Sequence, residues 1–181
     1  MTLSKKERAF LLKVARSTVS DYAQNGFYEP YPKPISEALL AKGMCFTTIK
    51  SKGGELRGCM GVLEQREIIL NVVKSAYLAA FEDPRFYPVR PPELPHLSFE
   101  ISILTPFKEA RPEEVIPGKH GIMVEGGWKA GLLLPQVATE NSMGREEFLE
   151  ALMHKAGMSP KEFNSAKLYV FEAEVFSDEA H

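Results

Sequence analysis

Apolar positions along this chain follow two rhythms, one of helical period and one of strand period. Behind Ser4-Lys5-Lys6-Glu7, the residues Leu11, Leu12, Val14, Ala15, Val19 and Tyr22 recur at helical spacing. The leading tetrad is a capping box, in which a serine oxygen holds an orphan amide while the glutamate reaches back. The pattern stops at Asn25-Gly26, so a helix is predicted over 4–24. Residues 28–34 carry three prolines and predict an extended connection. A short helix over 36–42, closed by Gly43, should follow.

Alternation then takes over. Residues 44–62 read as a β-hairpin, with Gly53-Gly54 as a two-residue turn supplying positive φ angles. Ile68, Ile69, Val72, Val73, Ala76, Tyr77 and Ala80 form a helical stripe within 65–81, ending before Asp83-Pro84. Five prolines make 84–95 irregular, and a strand is expected over 97–104. A second hairpin spans 120–134, turning at Gly126-Gly127. A helix over 145–156 ends at Gly157, Ser159-Pro160-Lys161-Glu162 is a second capping box, and a last strand covers 167–176. Strand, Gly-Gly, strand, helix thus occurs twice, and aligning the turns also sets Gly58 over Gly131. Internal duplication and chance both account for that. Hairpins with segregated helices indicate an α+β fold with helices packed on antiparallel sheet.

The bulk chemistry narrows the field. A length of 181 residues suits one domain, or two lobes sharing a core. An apolar fraction of 44% and a charged fraction of 25% are globular values and exclude a mainly disordered chain. The net charge of −2 gives no bulk pull toward nucleic acid or anionic membrane, although a local basic patch remains compatible with it. No run of about 18 apolar residues occurs, so no membrane span is expected. The opening residues Met1–Arg8 lead into an amphipathic stretch and do not read as a secretory signal. Cys45 and Cys59 are too few for a disulfide scaffold or a four-thiolate zinc site, which points to a cytoplasmic protein with reduced thiols. His96, His120, His154 and His181 lack metal-ligand spacing, so neither a metal nor a cofactor is expected.

The chemistry-bearing stretch is the second strand of the first hairpin. Side chains alternate faces there. Leu56, Gly58, Met60 and Val62 share one side with Cys45, Thr47 and Ile49, the natural core face. Arg57, Cys59 and Gly61 share the other with Phe46, Thr48 and Lys50. A two-residue turn sets Cys59 opposite Thr48 and Arg57 opposite Lys50, and it keeps the two cysteines apart. A thiol with a pKa of about 8.5 needs roughly 2 kcal/mol of thiolate stabilisation to reach about 7. An arginine about 4 to 5 Å away supplies about 3 to 4 kcal/mol at an effective dielectric near 20, but only about 1 kcal/mol in bulk water. Activation by Arg57, with Lys50 adding to it, therefore requires shelter. Gly58 and Gly61 would let a ligand, or another backbone, approach. The plainer account makes Cys59 a small hydrophobe, Arg57 a solvated charge and the glycines packing devices.

Leu56-Arg57-Gly58-Cys59-Met60-Gly61 resembles the signature of the AMMECR family, with Met60 where isoleucine is usual. Phe81-Glu82-Asp83-Pro84-Arg85-Phe86, Glu100-Ile101-Ser102-Ile103-Leu104, His120-Gly121-Ile122, Leu133-Leu134-Pro135-Gln136-Val137-Ala138 and Lys155-Ala156-Gly157 are similar to further family blocks, in the same order. The likeness runs over about residues 11–176. One departure is Ser142-Met143, where the family often carries tryptophan. The resemblance implies an α+β fold in two unequal lobes flanking a cleft, with 1–181 as one family domain. It implies that the Arg-Gly-Cys segment is the functional element, and it implies no known reaction. It also implies a shared pathway with Memo-like and radical-SAM proteins.

With that resemblance, Cys59, Arg57 and Glu100 are the candidates for chemistry. Glu100 could serve as a general base, or merely be a solvated strand residue. Gly58, Gly61, Lys50, Asp83, Arg85 and Gln136 are candidates for ligand binding, although Asp83 and Arg85 also suit a turn with a local ion pair. One reading is a binding module for a partner, a small molecule or a nucleotide. The other is an enzyme using Cys59 as nucleophile or thiol carrier, with Arg57 holding the thiolate or an anion. Tyr28, Phe46 and Trp128 are candidate base-stacking aromatics, and each also suits a core.

Overall fold

A computed structural model describes residues 2–27, 33–34 and 36–178. It divides into two compact units, Met1–Ile103 with Glu174–His181, and Leu104–Ala173. The two unequal lobes are therefore present as two units, each with its own sheet and core.

In the first unit, α1 (Lys5–Asn25) starts and stops where its local chemistry dictates. The Glu7 amide donates to Ser4 Oγ at 3.3 Å, the Ser4 amide donates to Glu7 Oε2 at 2.7 Å, and Gly26 closes the helix at φ 72°. The proline-rich connection falls largely outside the described residues. The short helix expected over 36–42 is a 3₁₀ turn, Glu37–Leu40. Lys42 already belongs to β1 (Lys42–Lys50), because Lys42 and Gly43 pair with Glu67 and Arg66 of β2 (Leu56–Glu67). That pairing also overturns the expected helix start at Gln65. The strand continues to Glu67, and α2 is Ile68–Tyr77. Buried Asn71 fixes the junction, donating to the Gly43 carbonyl at 2.7 Å and to the Glu64 carbonyl at 2.8 Å. Past Tyr77 the helix widens into a π turn, Leu78–Glu82.

The register matches expectation from Cys45↔Val62 through Thr48↔Cys59 to Ile49↔Gly58. It then shifts, and Lys50 faces Leu56 rather than Arg57. The expected two-residue turn is instead the segment 51–55. There the Ser51 amide donates to the Glu55 carbonyl at 2.8 Å, and Gly53 and Gly54 sit at φ 106° and 86°. Arg57 is thus the extra residue of a β-bulge, and the bulge reverses parity beyond it. This is why Leu56, expected on the core face, is exposed. The sheet order is β2-β1-β3-β8, with β3 at Ser98–Leu104 and β8 at Ala173–Ser177, so β2 is an edge. The core joins Leu11, Val14 and Val19 of α1 to Ile69, Val72 and Ala76 of α2 and to Cys45, Ile49, Phe99 and Ile101 of the sheet. Burying each large aliphatic of this set contributes about 1.5–3 kcal/mol.

The second unit has the order β4-β7-β5-β6, from Lys108–Glu109, Lys167–Phe171, Gly121–Gly126 and Lys129–Leu133. Gly126 pairs with Lys129, so the turn is Gly127-Trp128, one residue later than expected. Trp128 stands 90% exposed there and is no core residue. Residues 135–140 form α3 (Pro135–Glu140), so Gln136 lies in a helical first turn instead of at a strand end. Then come α4 (Arg145–Lys155) and α5 (Pro160–Ser165), the latter capped by Ser159 as expected. The last predicted strand is two. Glu172 interrupts it, exchanging its amide and carbonyl with Thr105 at 2.8 and 2.9 Å. Gly58 and Gly131 share one physical property: a Cβ on either would press on an alanine, the Ala79 carbonyl in the π turn and Ala156 at the end of α4.

Candidate functional site

Edge strands expose unpaired amides and carbonyls, and β2 meets that liability at Cys59 with side chains. The Cys59 amide donates to Asp83 Oδ2 at 2.9 Å, and the Arg85 guanidinium donates to the Cys59 carbonyl at 3.3 Å. Asp83 and Arg85 are themselves joined twice, Nε to Oδ1 at 2.9 Å and NH2 to Oδ2 at 2.7 Å, and the Arg85 amide adds a bond to Oδ1 at 3.1 Å. The segment just past the π turn thus stands in for a neighbouring strand. Asp83 is only 4% exposed. Its carboxyl is held down at about 2, chiefly by the Arg85 hydrogen bonds and also by the Cys59 and Arg85 amides, against the opposing effect of burial. Arg85 in turn is held above its ordinary value, mainly by Asp83 and with an electrostatic contribution from Cys59.

The Cys59 side chain is half-buried, and its sulfur accepts from Thr48 Oγ1 at 3.2 Å. That contact follows from the register, since Thr48 and Cys59 are directly opposed. Cys45 lies on the other face, fully buried against Ser75 Oγ at 3.4 Å, and burial pushes its thiol up to about 12. Lys50 lies two residues beyond Thr48 on the same strand and pairs with Glu100 of β3 at 3.5 Å. The structure therefore gathers Cys59, Thr48, Lys50, Glu100, Asp83 and Arg85 on and beside one sheet.

Arg57 is engaged elsewhere. Its Nε and NH2 donate to the two carboxylate oxygens of Glu93 at 2.7 and 3.1 Å, while the third nitrogen, NH1, is buried without an acceptor. Glu93 also accepts the Arg90 amide at 2.9 Å, and its carboxyl is lowered by Arg57 first. The guanidinium that bonds the Cys59 main chain is that of Arg85, and each of the two arginines is paired with a carboxylate, Arg85 with Asp83 and Arg57 with Glu93. Glu93 escaped the sequence reading because it sits in the proline-rich stretch, where no periodicity marks it. Gly58 and Gly61 do not leave open space: an added Cβ would overlap the Ala79 carbonyl at the first and the Phe46 ring at the second. Phe46 therefore lies across its own sheet. Gln136 belongs to the second unit. Tyr28 is outside the described residues. Among the described residues, no three His, Cys, Asp or Glu side chains gather as ligands for a metal ion, and no helix is long and apolar enough to cross a membrane.

Comparison with known proteins adds to this geometry. The family model described as AMMECR1 matches residues 12–176. A protein of Thermococcus gammatolerans is 38% identical over 94% of this chain and 89% of its own length. One from Nanoarchaeum equitans is 40% identical over 93% of this chain and 99% of its own. The crystal structure of an uncharacterized Pyrococcus horikoshii protein superposes with a TM-score of 0.93 at 32% identity, covering 98% of this chain and 94% of that one.

Proposed function

Because this chain belongs to the AMMECR1 family, we propose that it is a ligand- or partner-binding module centred on Cys59 of β2, acting in a modification pathway with a Memo-like and a radical-SAM protein. The observation that carries this reading is the double hold on the Cys59 backbone, amide by Asp83 and carbonyl by Arg85. An element fixed on both sides before a partner arrives loses less freedom on binding, so more of the contact energy appears as affinity. In this reading Cys59, Arg57, Lys50 and Glu100 meet the ligand, and Asp83 and Arg85 position the strand. Gly58 and Gly61 serve by letting Ala79 and Phe46 close over the strand. The unspent NH1 of Arg57 supports an oxygen-bearing ligand, a small molecule or nucleotide. The module is cytoplasmic, with both thiols reduced. Calorimetric titration with the Memo-like protein tests it. Cys59→Ser should bind within about threefold of the parent, while Asp83→Asn should weaken binding about tenfold or more. Equal binding by Asp83→Asn, or none by the parent chain, refutes it.

A second reading is an enzyme with Cys59 as nucleophile, favoured by the Thr48 hydroxyl donating to the sulfur. Alkylation rates across pH in a Cys45→Ser background test it. A thiol ionising at or above about 8.5 refutes it.

A further inference from the structure

The second unit contains a hollow of about 530 Å³ that the reading above does not use. Its size falls within the range of small-molecule sites. Part of the lining is apolar, from Pro106, Ala110 and Val170, and the polar part includes Lys108, Lys119, His120, Glu114 and Glu172. Both carboxylates are already committed. Glu114 accepts the Arg111 amide at 2.8 Å and the Arg111 Nε at 3.4 Å, and its carboxyl is lowered by that amide first. Glu172 pairs with Lys119 at 3.4 Å.

The donors are in a different position. His120 Nδ1 accepts the Ile116 amide at 3.2 Å. Neutral imidazole carries one proton, so here it resides on Nε2, which is left as a donor. Lys108 is exposed on β4 and reaches Glu114 only through space. Among the described residues neither Lys108 Nζ nor His120 Nε2 has an acceptor, and such donors beside an apolar wall match an acceptor-rich head group on an apolar body. We infer that this hollow binds a small organic anion, its carboxylate or phosphate meeting Lys108 and His120 and its body lying against Val170 and Ala110.

The test is a nuclear magnetic resonance titration of the isotope-labelled full chain with phenyl phosphate, benzoate and uncharged benzamide. An anion should shift the Ala110, His120 and Val170 amides saturably, and the tighter of the two identifies the head group. Lys108→Glu, and independently Lys108→Gln, should weaken that binding about tenfold, the effect of removing one charge-assisted contact. The same spectra report whether each variant is folded. No saturable shift at those amides, an equal response to benzamide, or unchanged affinity in both variants overturns the inference. Such a failure leaves the Cys59 reading untouched, because no residue is shared.

Discussion

The carboxylate of Asp83 holds the backbone amide of Cys59 across a gap of 2.9 Å, at a sheet edge where, among the described residues, no further strand pairs with β2. One residue of the Phe81–Phe86 block thereby controls the position of one residue of the Arg-Gly-Cys block. Two stretches separated in sequence act as one device, and the ion pair with Arg85 is the brace that keeps the carboxylate charged.

That brace has a pH signature. The Asp83 carboxyl lies at about 2 in the folded protein and near its ordinary value of about 3.9 in the unfolded chain. A depressed folded pKa stabilises above the unfolded value and loses that contribution as pH falls through the folded one. The shift corresponds to about 2 to 3 kcal/mol, fully present above about pH 5. Urea unfolding should therefore show Asp83→Asn destabilised by about 2 to 3 kcal/mol at neutral pH, with the gap to the parent closing toward about pH 2. A gap that is independent of pH would mean that the charge of Asp83 does not matter.

Gly58 and Gly61 should respond differently to alanine. At Gly58 the new methyl meets the Ala79 carbonyl, main chain in a π turn that cannot rotate away. At Gly61 it meets the Phe46 ring, which can be trimmed. Gly58→Ala should cost about 3 kcal/mol or more, the upper end of overpacking. Gly61→Ala should cost less and be partly rescued by Phe46→Ala, as thermal melts of the single and double variants would show.

The parts of this architecture that are legible from residues alone are local. The Ser4–Glu7 capping box and Gly26 bound α1 within a few positions, and alternation puts Cys45 and Cys59 on opposite faces. Thr48 does face Cys59 as expected, although the two-residue turn behind that expectation is replaced by 51–55 and a bulge that offset each other. What escapes depends on distant partners. The bulge at Arg57 arises from how 51–55 closes, and Leu56 turns outward with it. Gln65 to Glu67 stay extended because Lys42 and Gly43 pair with their end of the strand and Asn71 bonds across it. Glu93 lies 36 residues from Arg57, and the acceptance of a main-chain amide by Asp83 leaves no trace in residue type at either end.

Thiol counting separates the two cysteines. Cys45 is fully buried, with its ionisation pushed up to about 12, whereas Cys59 is half-buried. A disulfide reagent at about pH 8 should modify one thiol in the native protein and both after denaturation. Cys59→Ser should abolish the native reaction, and Cys45→Ser should leave it. Two fast thiols in the folded chain would contradict the packing of Cys45 against Ser75.

Two guanidinium groups lie close enough in sequence or space to govern Cys59, those of Arg57 and Arg85. Sequence proximity favours Arg57, and each guanidinium is paired with a carboxylate, Arg57 with Glu93 and Arg85 with Asp83, so pairing alone does not separate them. Arg85 donates to the Cys59 carbonyl and acts on the sulfur electrostatically. Native-state alkylation at about pH 7 should therefore slow severalfold in Arg85→Ala and change little in Arg57→Ala. Arg57→Ala should instead reveal itself in stability, with a coupling to Glu93 of about 1 to 2 kcal/mol in a double-mutant cycle, since the pair is bidentate and partly buried. Were Arg57→Ala to slow alkylation as much as Arg85→Ala, the guanidinium would have to leave Glu93 to reach the thiolate, and the pairing described here would be only one of its states.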